Sequence, residues 1–278
     1  MKDALKGLVG FLLLALLAGC GLSNMPQHMA QATLDQNDPD TVAEAAPAYL
    51  LLFDSLIDAD PEDVGYLRDA AGLYALFGDL LVKDAARSKR LSQRSFAYAN
   101  RAICSEEEDL CGLAQLSFDP FVAKMPLFGQ LDPALRMVYL QSWLVYVKHH
   151  ADDWNELARL PQLESLIDYL LHQKGSETSP QLHTYLAILQ TLRPAMYGGK
   201  PEAGRHNFER AIELAPDDLS IKVAFARFYA RSQYNQDLHD RLLNQVLEAD
   251  PVKPGLTLLN TLAQREAKEL LASGANYF

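Results

Sequence analysis

Cysteine is scarce in this chain, and it lacks the long runs of β-branched residues that favour strands. Only 3 of the 278 residues are cysteine, which argues against a small disulfide-rich scaffold. The sequence is instead rich in Leu, Ala, Gln, Asp and Glu. Apolar residues make up 49% of it, enough for the core of one large domain or two small ones. We therefore expect an all-α protein.

Positively charged residues are also fewer than negatively charged ones. The chain has 25 Lys and Arg against 36 Asp and Glu, which gives a net charge of −11. Nucleic-acid binding and polybasic attachment to anionic lipid both require a basic surface. The composition therefore argues against both classes of partner.

Recognisable catalytic and metal-binding patterns are missing from the sequence. It has no Gly-x-Ser-x-Gly elbow. His149 and His150 are adjacent, so on a helix they point in different directions, and we interpret them as residues that stabilise a helix end. His172 and His183 belong to different predicted helices, and the acidic run at 106–109 lacks the alternating ligands of a calcium loop. We predict a protein that binds without catalysis and needs no cofactor or metal.

The first twenty residues have the features of a lipoprotein leader. Lys2 and Lys6 precede an apolar run at 8–18, which is too short to span a bilayer because spanning takes about 20 residues. The run ends in Leu-Ala-Gly-Cys, which resembles a bacterial lipobox with Cys20 as the acylated residue. A plain signal peptide with an incidental cysteine is the alternative. Gly21 is typical of lipoproteins destined for the outer membrane.

The leader sets the domain division that we predict. Residues 1–19 are the signal peptide, 20–39 form a lipidated polar tether, and 40–278 form a single tetratricopeptide-like helical domain. Cleavage removes two lysines and one aspartate, so the remaining chain is one charge more negative. We expect the body in the periplasm, held to the membrane by the lipid on Cys20.

Two cysteines remain after this cleavage, Cys104 and Cys111. In an oxidising compartment such a pair is commonly bonded, so we predict a disulfide, with two buried thiols as the alternative. The pair opens the least regular stretch of the chain, 104–132. Because this stretch contains Pro120 and Pro126, we expect it to be a packed loop.

Three similar segments, LIDADP, IELAP and VLEADP, mark helix ends at Pro61, Pro216 and Pro251. The last two prolines are separated by about one tetratricopeptide period of roughly 34 residues. That repeat places a small, an aromatic and a second small residue at fixed distances before its proline. Counting back from Pro216 assigns these positions to Gly204, Phe208 and Ala211. Counting back from Pro251 gives His239, Leu243 and Val246, and counting back from Pro61 gives Tyr49, Phe53 and Leu56. The pattern predicts degenerate helix hairpins, with the best match before Pro216.

The stretch GGKPEAG has two interpretations, a phosphate-binding loop or the turn of a helix hairpin. A Walker loop needs Gly directly before Lys, Ser or Thr after it, and a preceding strand. Here Lys200 is followed by Pro201, and we predict no strand. Gly198 and Gly199 instead fit a helix end, and Gly204 fits a close-packing position in the next helix. We predict the helix hairpin.

Aromatic and arginine side chains are the candidate binding residues, because these types contribute much of the energy at interfaces. The segment 134–150 is apolar on nearly every side, so we expect a central helix whose aromatic residues belong to a core or line a groove. The candidates for binding a ligand or partner are Arg94, Tyr98, Tyr139, Trp143, Tyr146, Tyr197, Arg205 and His206.

Similarity to a known family lies in four segments, YGGKPEAGRHNFERAIELAPDDLSIKVAFARFYA, LLNTLAQREAKELLASGANYF, RSFAYANRAI and LARLPQLESLIDYLL. They resemble the T component associated with TRAP transporters (TatT), a group of periplasmic tetratricopeptide lipoproteins. The resemblance implies a helix-hairpin solenoid with additional helices around a central pocket or pore. It also implies a TRAP solute-binding protein as partner, organic acids or hydrophobic molecules as solutes, and a homo-oligomer, with trimers in the family. The Cys104–Cys111 loop departs from the family pattern.

Three functions are compatible with these features. The first is a membrane-anchored adaptor that holds the solute-binding protein and assists ligand uptake through a concave helical surface. The second is a general envelope-assembly scaffold, and the third is a cell-wall enzyme on a helical superhelix. The family resemblance favours the first.

Overall fold

The computed structural model describes residues 25–193 and 195–278. The predicted leader and Cys20 lie outside the described residues. All regular structure in the described ranges is helical, which confirms the predicted all-α class of stacked helices. None of the described helices combines the length and apolar character needed to cross a membrane.

Thirteen α-helices make up the described part of the chain. They are α1 (Met25–Leu34), α2 (Pro39–Ala59), α3 (Val64–Leu76), α4 (Ala85–Glu106), α5 (Phe118–Phe128), α6 (Pro133–His149), α7 (Trp154–Leu157), α8 (Leu160–Leu171), α9 (Pro180–Thr191), α10 (Pro201–Leu214), α11 (Leu219–Ala224), α12 (Gln236–Glu248) and α13 (Thr257–Tyr277). The helices α3 and α11 continue into the π-helical turns Phe77–Leu81 and Phe225–Ala230. Three short 3-10 turns are Glu108–Leu110, Leu113–Gln115 and Ala195–Tyr197.

Capping residues explain most of these boundaries. Asp63 and Asp84 each accept a hydrogen bond from a backbone N–H in the first turn of the following helix, α3 and α4 respectively. In α2, Asp40 is the residue that the sequence favours as the cap, because it precedes the helical run that begins at Thr41, and this prediction is wrong by two positions. Asp38, not Asp40, is the cap, because its carboxylate accepts the N–H of Asp40 at 3.1 Å and Pro39 fills the first helical position. The helix α1 also lies within the stretch predicted to be a tether.

The stretch 104–132 is more regular than the packed loop that we predicted. It contains the helix α5, in which Pro120 lies in the first turn, where a backbone N–H has no helical partner. Pro126 removes only one hydrogen bond near the other end of that helix. Cys104 and Cys111 form a disulfide in the structure, and their Cα atoms are 4.4 Å apart. This is the pair that we predicted. This bond ties the end of α4 to the first 3-10 turn.

The GGKPEAG stretch forms the turn and start of the predicted hairpin between α9 and α10. Gly198 has a φ of 82°, which glycine adopts without strain, and Pro201 begins α10. A Cβ atom at Gly204 would lie 2.6 Å from Thr191 Cγ2 and 3.0 Å from the Ala187 carbonyl oxygen. The two helices therefore approach to a distance that only glycine permits at this position.

The first predicted repeat, in α2, has a different register. Tyr49 is exposed, and Phe53 and Leu56 are only half-buried, whereas Leu50 and Ile57 are buried. Counting back from Pro61 therefore identified residues on the wrong face of this helix. In α12, by contrast, all three predicted positions are buried.

Two apolar clusters hold the helices together. The first is built from α2 to α9 and the second from α9 to α13. The helix α9 belongs to both, because Leu186 and Leu189 face the first cluster and Ala187 faces the second. One helix therefore joins the two halves of the fold.

The order of packed helices closes on itself. The helix α13 packs on α12, as a hairpin partner should, and also on α1 and α2. Asp35 accepts the backbone N–H of Gly255 at 2.5 Å, and Arg265 contacts the Asp40 carboxylate at 2.9 and 3.3 Å. The last helix thus contacts the first two, and the fold is a closed ring of helices.

Candidate binding groove

Arg94 and Tyr98, two of the predicted binding residues, contact each other on α4. The Nε and Nη2 atoms of Arg94 each donate to Tyr98 Oη at 3.1 Å. Residues four apart lie on the same face of a helix, so the sequence spacing alone brings this pair together.

The carboxylate of Asp54, on α2, fixes this pair in place. Tyr98 donates to its Oδ1 at 2.7 Å, Tyr74 on α3 donates to its Oδ2 at 2.8 Å, and Arg94 Nη2 lies 3.0 Å from Oδ2. The guanidinium also lies over the rings of Tyr74 and Tyr98, 5.4 and 5.6 Å from their centroids. Three helices therefore meet at one carboxylate.

The surroundings keep these groups in one protonation state. Burial, and then the hydrogen bond to Asp54, raise the pKa of Tyr74 and of Tyr98 above the ordinary value. Partial burial lowers the pKa of Arg94, but the hydrogen bond to Tyr98 and the adjacent groups outweigh it, so that pKa is raised overall. Both tyrosines remain hydrogen-bond donors and Arg94 remains a cation near neutral pH.

A groove of about 440 Å³ lies beside this cluster, between α2 and the α3–α4 hairpin. Its lining residues are Pro47, Leu50, Leu51, Tyr74, Arg87, Arg90, Leu91 and Arg94. Leu51 on the α2 wall is 69% exposed, an unusual position for a leucine. One wall is thus cationic and the other apolar.

Among the described residues, two of the three groove arginines form no ion pair with an acidic side chain. Within the described part of the chain, neither Arg87 nor Arg90 has a carboxylate within 4.0 Å. Arg87 instead lies over the ring of Phe77, 5.2 Å from its centroid. A guanidinium pairs with carboxylates in a bidentate manner, and the apolar wall can bury apolar side chains. The groove therefore suits an acidic surface that also presents apolar groups.

Comparison with known families places the helices from α2 to α13 in one of them. The profile described as the TRAP transporter T-component matches residues 35–278. The chain belongs to the TRAP transporter T-component family. Comparison with curated proteins gave no match. The matched range contains every residue of the groove, so the groove is part of the T-component domain.

The aromatic candidates of α6 lie in the first apolar cluster of this T-component domain and not in the groove. Tyr139 and Trp143 are 0% exposed. Phe96 of α4 packs against both, and against Tyr146, with ring centroids 5.9, 5.8 and 5.0 Å apart. Tyr146 is half-buried and lines a second, smaller cavity. Tyr139 and Trp143 are therefore core residues in the described fold.

The remaining candidates also lie away from the groove of the T component. Arg205 is exposed on α10 and forms an ion pair with Glu209 at 2.9 Å, and His206 is exposed beside it. Neither belongs to the groove lining. The side chain of Tyr197 lies outside what the structure describes. Of the candidates with described side chains, the groove region thus brings together Arg94 and Tyr98.

Sequence reasoning missed four residues of the groove region. Arg87 and Arg90 precede Arg94 on α4 at spacings of about one turn. This row of positive charges on one helix face is the sequence feature from which they could have been predicted. Asp54 and Tyr74 come from other helices, and tertiary packing alone brings them to Arg94. Within the described residues, no group of three or more His, Cys, Asp or Glu side chains could hold a metal ion.

Proposed function

We propose that this chain binds the periplasmic solute-binding protein of a TRAP transporter and assists ligand uptake by non-covalent binding, without catalysis. Membership of the T-component family supports an association with such a transporter. The groove carries the proposal, because Arg87 and Arg90, which form no ion pair among the described residues, line it opposite an apolar wall on a protein whose net charge is −11.

The binding mode follows from the two walls of the groove. Arg87 and Arg90 would pair with carboxylates of the solute-binding protein, while Leu51 would bury apolar surface of the same partner. Arg94 is already held by Asp54, so little side-chain entropy would be lost when a partner arrives. Arginine in a well-packed interface often contributes much of the binding energy.

Attachment to the membrane is part of the same proposal. The sequence Leu-Ala-Gly-Cys supports acylation of Cys20, and Gly21 supports the outer membrane as the destination. The domain would then remain in the periplasm, where solute-binding proteins diffuse. Self-association as a homotrimer rests on the family resemblance.

The test measures the affinity of the purified protein for the solute-binding protein that accompanies its transporter. We expect the double variant Arg87→Gln/Arg90→Gln to weaken binding at least tenfold, because two interfacial charges are lost. The matched control is Arg205→Gln/Arg210→Gln, which removes two cations that are already paired with Glu209 and Glu213 on α10. The control should bind as the wild type does.

Two results would contradict the proposal. Unchanged affinity of the double variant would mean that the groove is not the interface. Recovery of outer-membrane assembly proteins from envelope extracts, without any solute-binding protein, would favour the general scaffold.

A further inference from the structure

The outward face of α2 is apolar, although a surface helix normally turns polar and charged residues towards solvent. Between Glu44 and Asp58, every exposed residue of this helix is uncharged. Leu51 and Leu52 are 69% and 51% exposed. Contiguous exposed apolar surface is typical of a site that contacts another molecule. The outward face of α2 therefore extends the apolar wall of the groove onto the surface of the domain.

The other wall of the groove supplies positive charge at a regular spacing. Arg87 and Arg90 are exposed on α4, one turn apart, and among the described residues neither has a carboxylate within 4.0 Å. One turn is about 5 Å along a helix axis, so carboxylates one turn apart on a second helix match this separation. A row of carboxylates beside an apolar stripe is the surface that complements both walls.

The backbone of the docked segment also matters, because its polar groups lose water when they lie against an apolar wall. All regular structure in residues 25–193 and 195–278 is helical, so the groove offers no strand edge to which an extended segment could bind. An extended segment would leave some of its N–H and C=O groups without partners, at a cost in free energy. A helix pairs these groups internally, which favours a helix as the occupant.

We propose that the solute-binding protein enters the groove with an amphipathic α-helix that lies along α2. The apolar stripe of this helix packs on Leu51, and its carboxylates pair with Arg87 and Arg90. The inference rests on the proposed function, because it requires the partner to bind at the groove. It adds the kind of surface that the partner presents.

Photo-crosslinking between the full-length protein and its solute-binding protein tests this inference. Ala48 and Ser55 are exposed on α2, one turn before and one turn after Leu51, and are therefore about 10 Å apart along the helix axis. Each is replaced in turn by p-benzoylphenylalanine, and the attached residues of the partner are identified by mass spectrometry. His206, which is exposed on α10 and does not line the groove, is the control position and should give no crosslink.

The spacing of the attached residues distinguishes the two backbone conformations. A helix rises about 1.5 Å per residue, so we expect both positions to attach to one helix of the partner at sites about seven residues apart. An extended segment rises about 3.3 Å per residue, so in that case the sites would be about three residues apart.

Charge reversal on both proteins tests the ion pairs. Arg87→Glu/Arg90→Glu should weaken binding about a hundredfold, because two attractive pairs become repulsive. Replacing the carboxylates of the crosslinked partner helix by lysine should restore the affinity of this variant to within about threefold of the wild-type pair. Both arginines are exposed, so the variant should keep the circular dichroism spectrum of the wild type.

The results that would overturn the helix differ from those that would overturn the proposed function. Crosslinks from Ala48 and Ser55 to an extended segment or a loop, or no recovery of affinity with the lysine variant, would reject the helix and leave binding at the groove intact. No crosslink from either position, together with unchanged affinity of Arg87→Glu/Arg90→Glu, would contradict binding at the groove and both proposals with it.

Discussion

The side chain of Asp79 connects the end of α3 to the end of α6. It lies in the π-helical turn after α3, and its Oδ1 is 2.7 Å from Lys148 Nζ and 2.9 Å from His149 Nε2 at the end of α6. Burial would raise the pKa of Asp79, but the hydrogen bond from His149 and the charge of Lys148 outweigh it and hold that pKa below its ordinary value. His149 thus has a specific carboxylate partner in addition to its position at a helix end.

We predict that Asp79→Asn lowers the free energy of unfolding at neutral pH by about 1–3 kcal/mol, because Lys148 and His149 lose a charged acceptor. The pKa of Asp79 is lower in the folded than in the unfolded chain. The stabilisation is therefore complete above the ordinary value of 3.8 and is lost as the pH falls through the folded value below it. Urea denaturation at several pH values should show the difference between wild type and variant shrinking below about pH 3.8.

The control for this experiment is Asp152→Asn, which removes an exposed carboxylate paired with Lys89. Exposed pairs contribute little to stability, so this variant should follow the wild type. A difference for Asp79→Asn that stays constant down to strongly acid pH would contradict the role of the ionised carboxylate.

At the scale of elements, local signals allowed the α9–α10 hairpin to be predicted. Proline in a first turn and glycine at a helix end act within a few residues, so they can be read without knowing the fold. The helix α5 was not predicted, because Pro120 and Pro126 favour a loop, although both occupy positions near the ends of this helix. The register of the repeat in α2 was missed because burial depends on which neighbour the helix faces.

In the groove, too, contacts within one helix could be predicted from the sequence, but contacts between helices could not. Arg94 and Tyr98 could be predicted as a pair because one helical turn joins them. Their anchor, Asp54, lies on another helix, and its contact with them depends on how α2 packs on α3 and α4. The apolar character of α6 correctly predicted a central helix, yet it did not distinguish the core residues Tyr139 and Trp143 from a binding surface.

The α9–α10 hairpin gives a prediction at this scale. We expect Gly204→Ala to lower the free energy of unfolding by about 1–3 kcal/mol, because the new Cβ would overlap Thr191 Cγ2 and crowd the Ala187 carbonyl oxygen. Thr191 cannot yield easily, since its hydroxyl donates to Ala187 and Ile188. Urea denaturation followed by circular dichroism measures the change.

Gly72 in α3 provides the matched control, since it is also a helical glycine at a helix contact. A Cβ there would meet Val138 Cγ2 at 3.7 Å, an ordinary contact. Gly72→Ala should therefore leave stability unchanged or raise it by up to about 1 kcal/mol through helix propensity. Equal effects of the two substitutions would show that close packing at Gly204 is not the cause.

At the scale of the whole molecule, closure distinguishes this fold from an open solenoid. In an open array each repeat contacts only its neighbours, so a change at one end alters the stability of the nearby repeats only. Here α13 contributes Ala263, Ala267 and Leu270 to the second apolar cluster and also packs on α1 and α2. The two chain ends of the described domain therefore stabilise each other.

Deletion of α13 tests this closure. We predict that in the shortened protein α1 and α2 exchange their backbone amide hydrogens at least tenfold faster, because they lose their packing partner, while α6 in the first cluster keeps its protection. Hydrogen exchange read by mass spectrometry resolves these segments. The substitution Arg265→Gln is the control. It removes only the exposed ion pair with Asp40 and should change exchange little. If α1 and α2 kept their protection without α13, the helices would behave as an open array, and the ring would not contribute to stability.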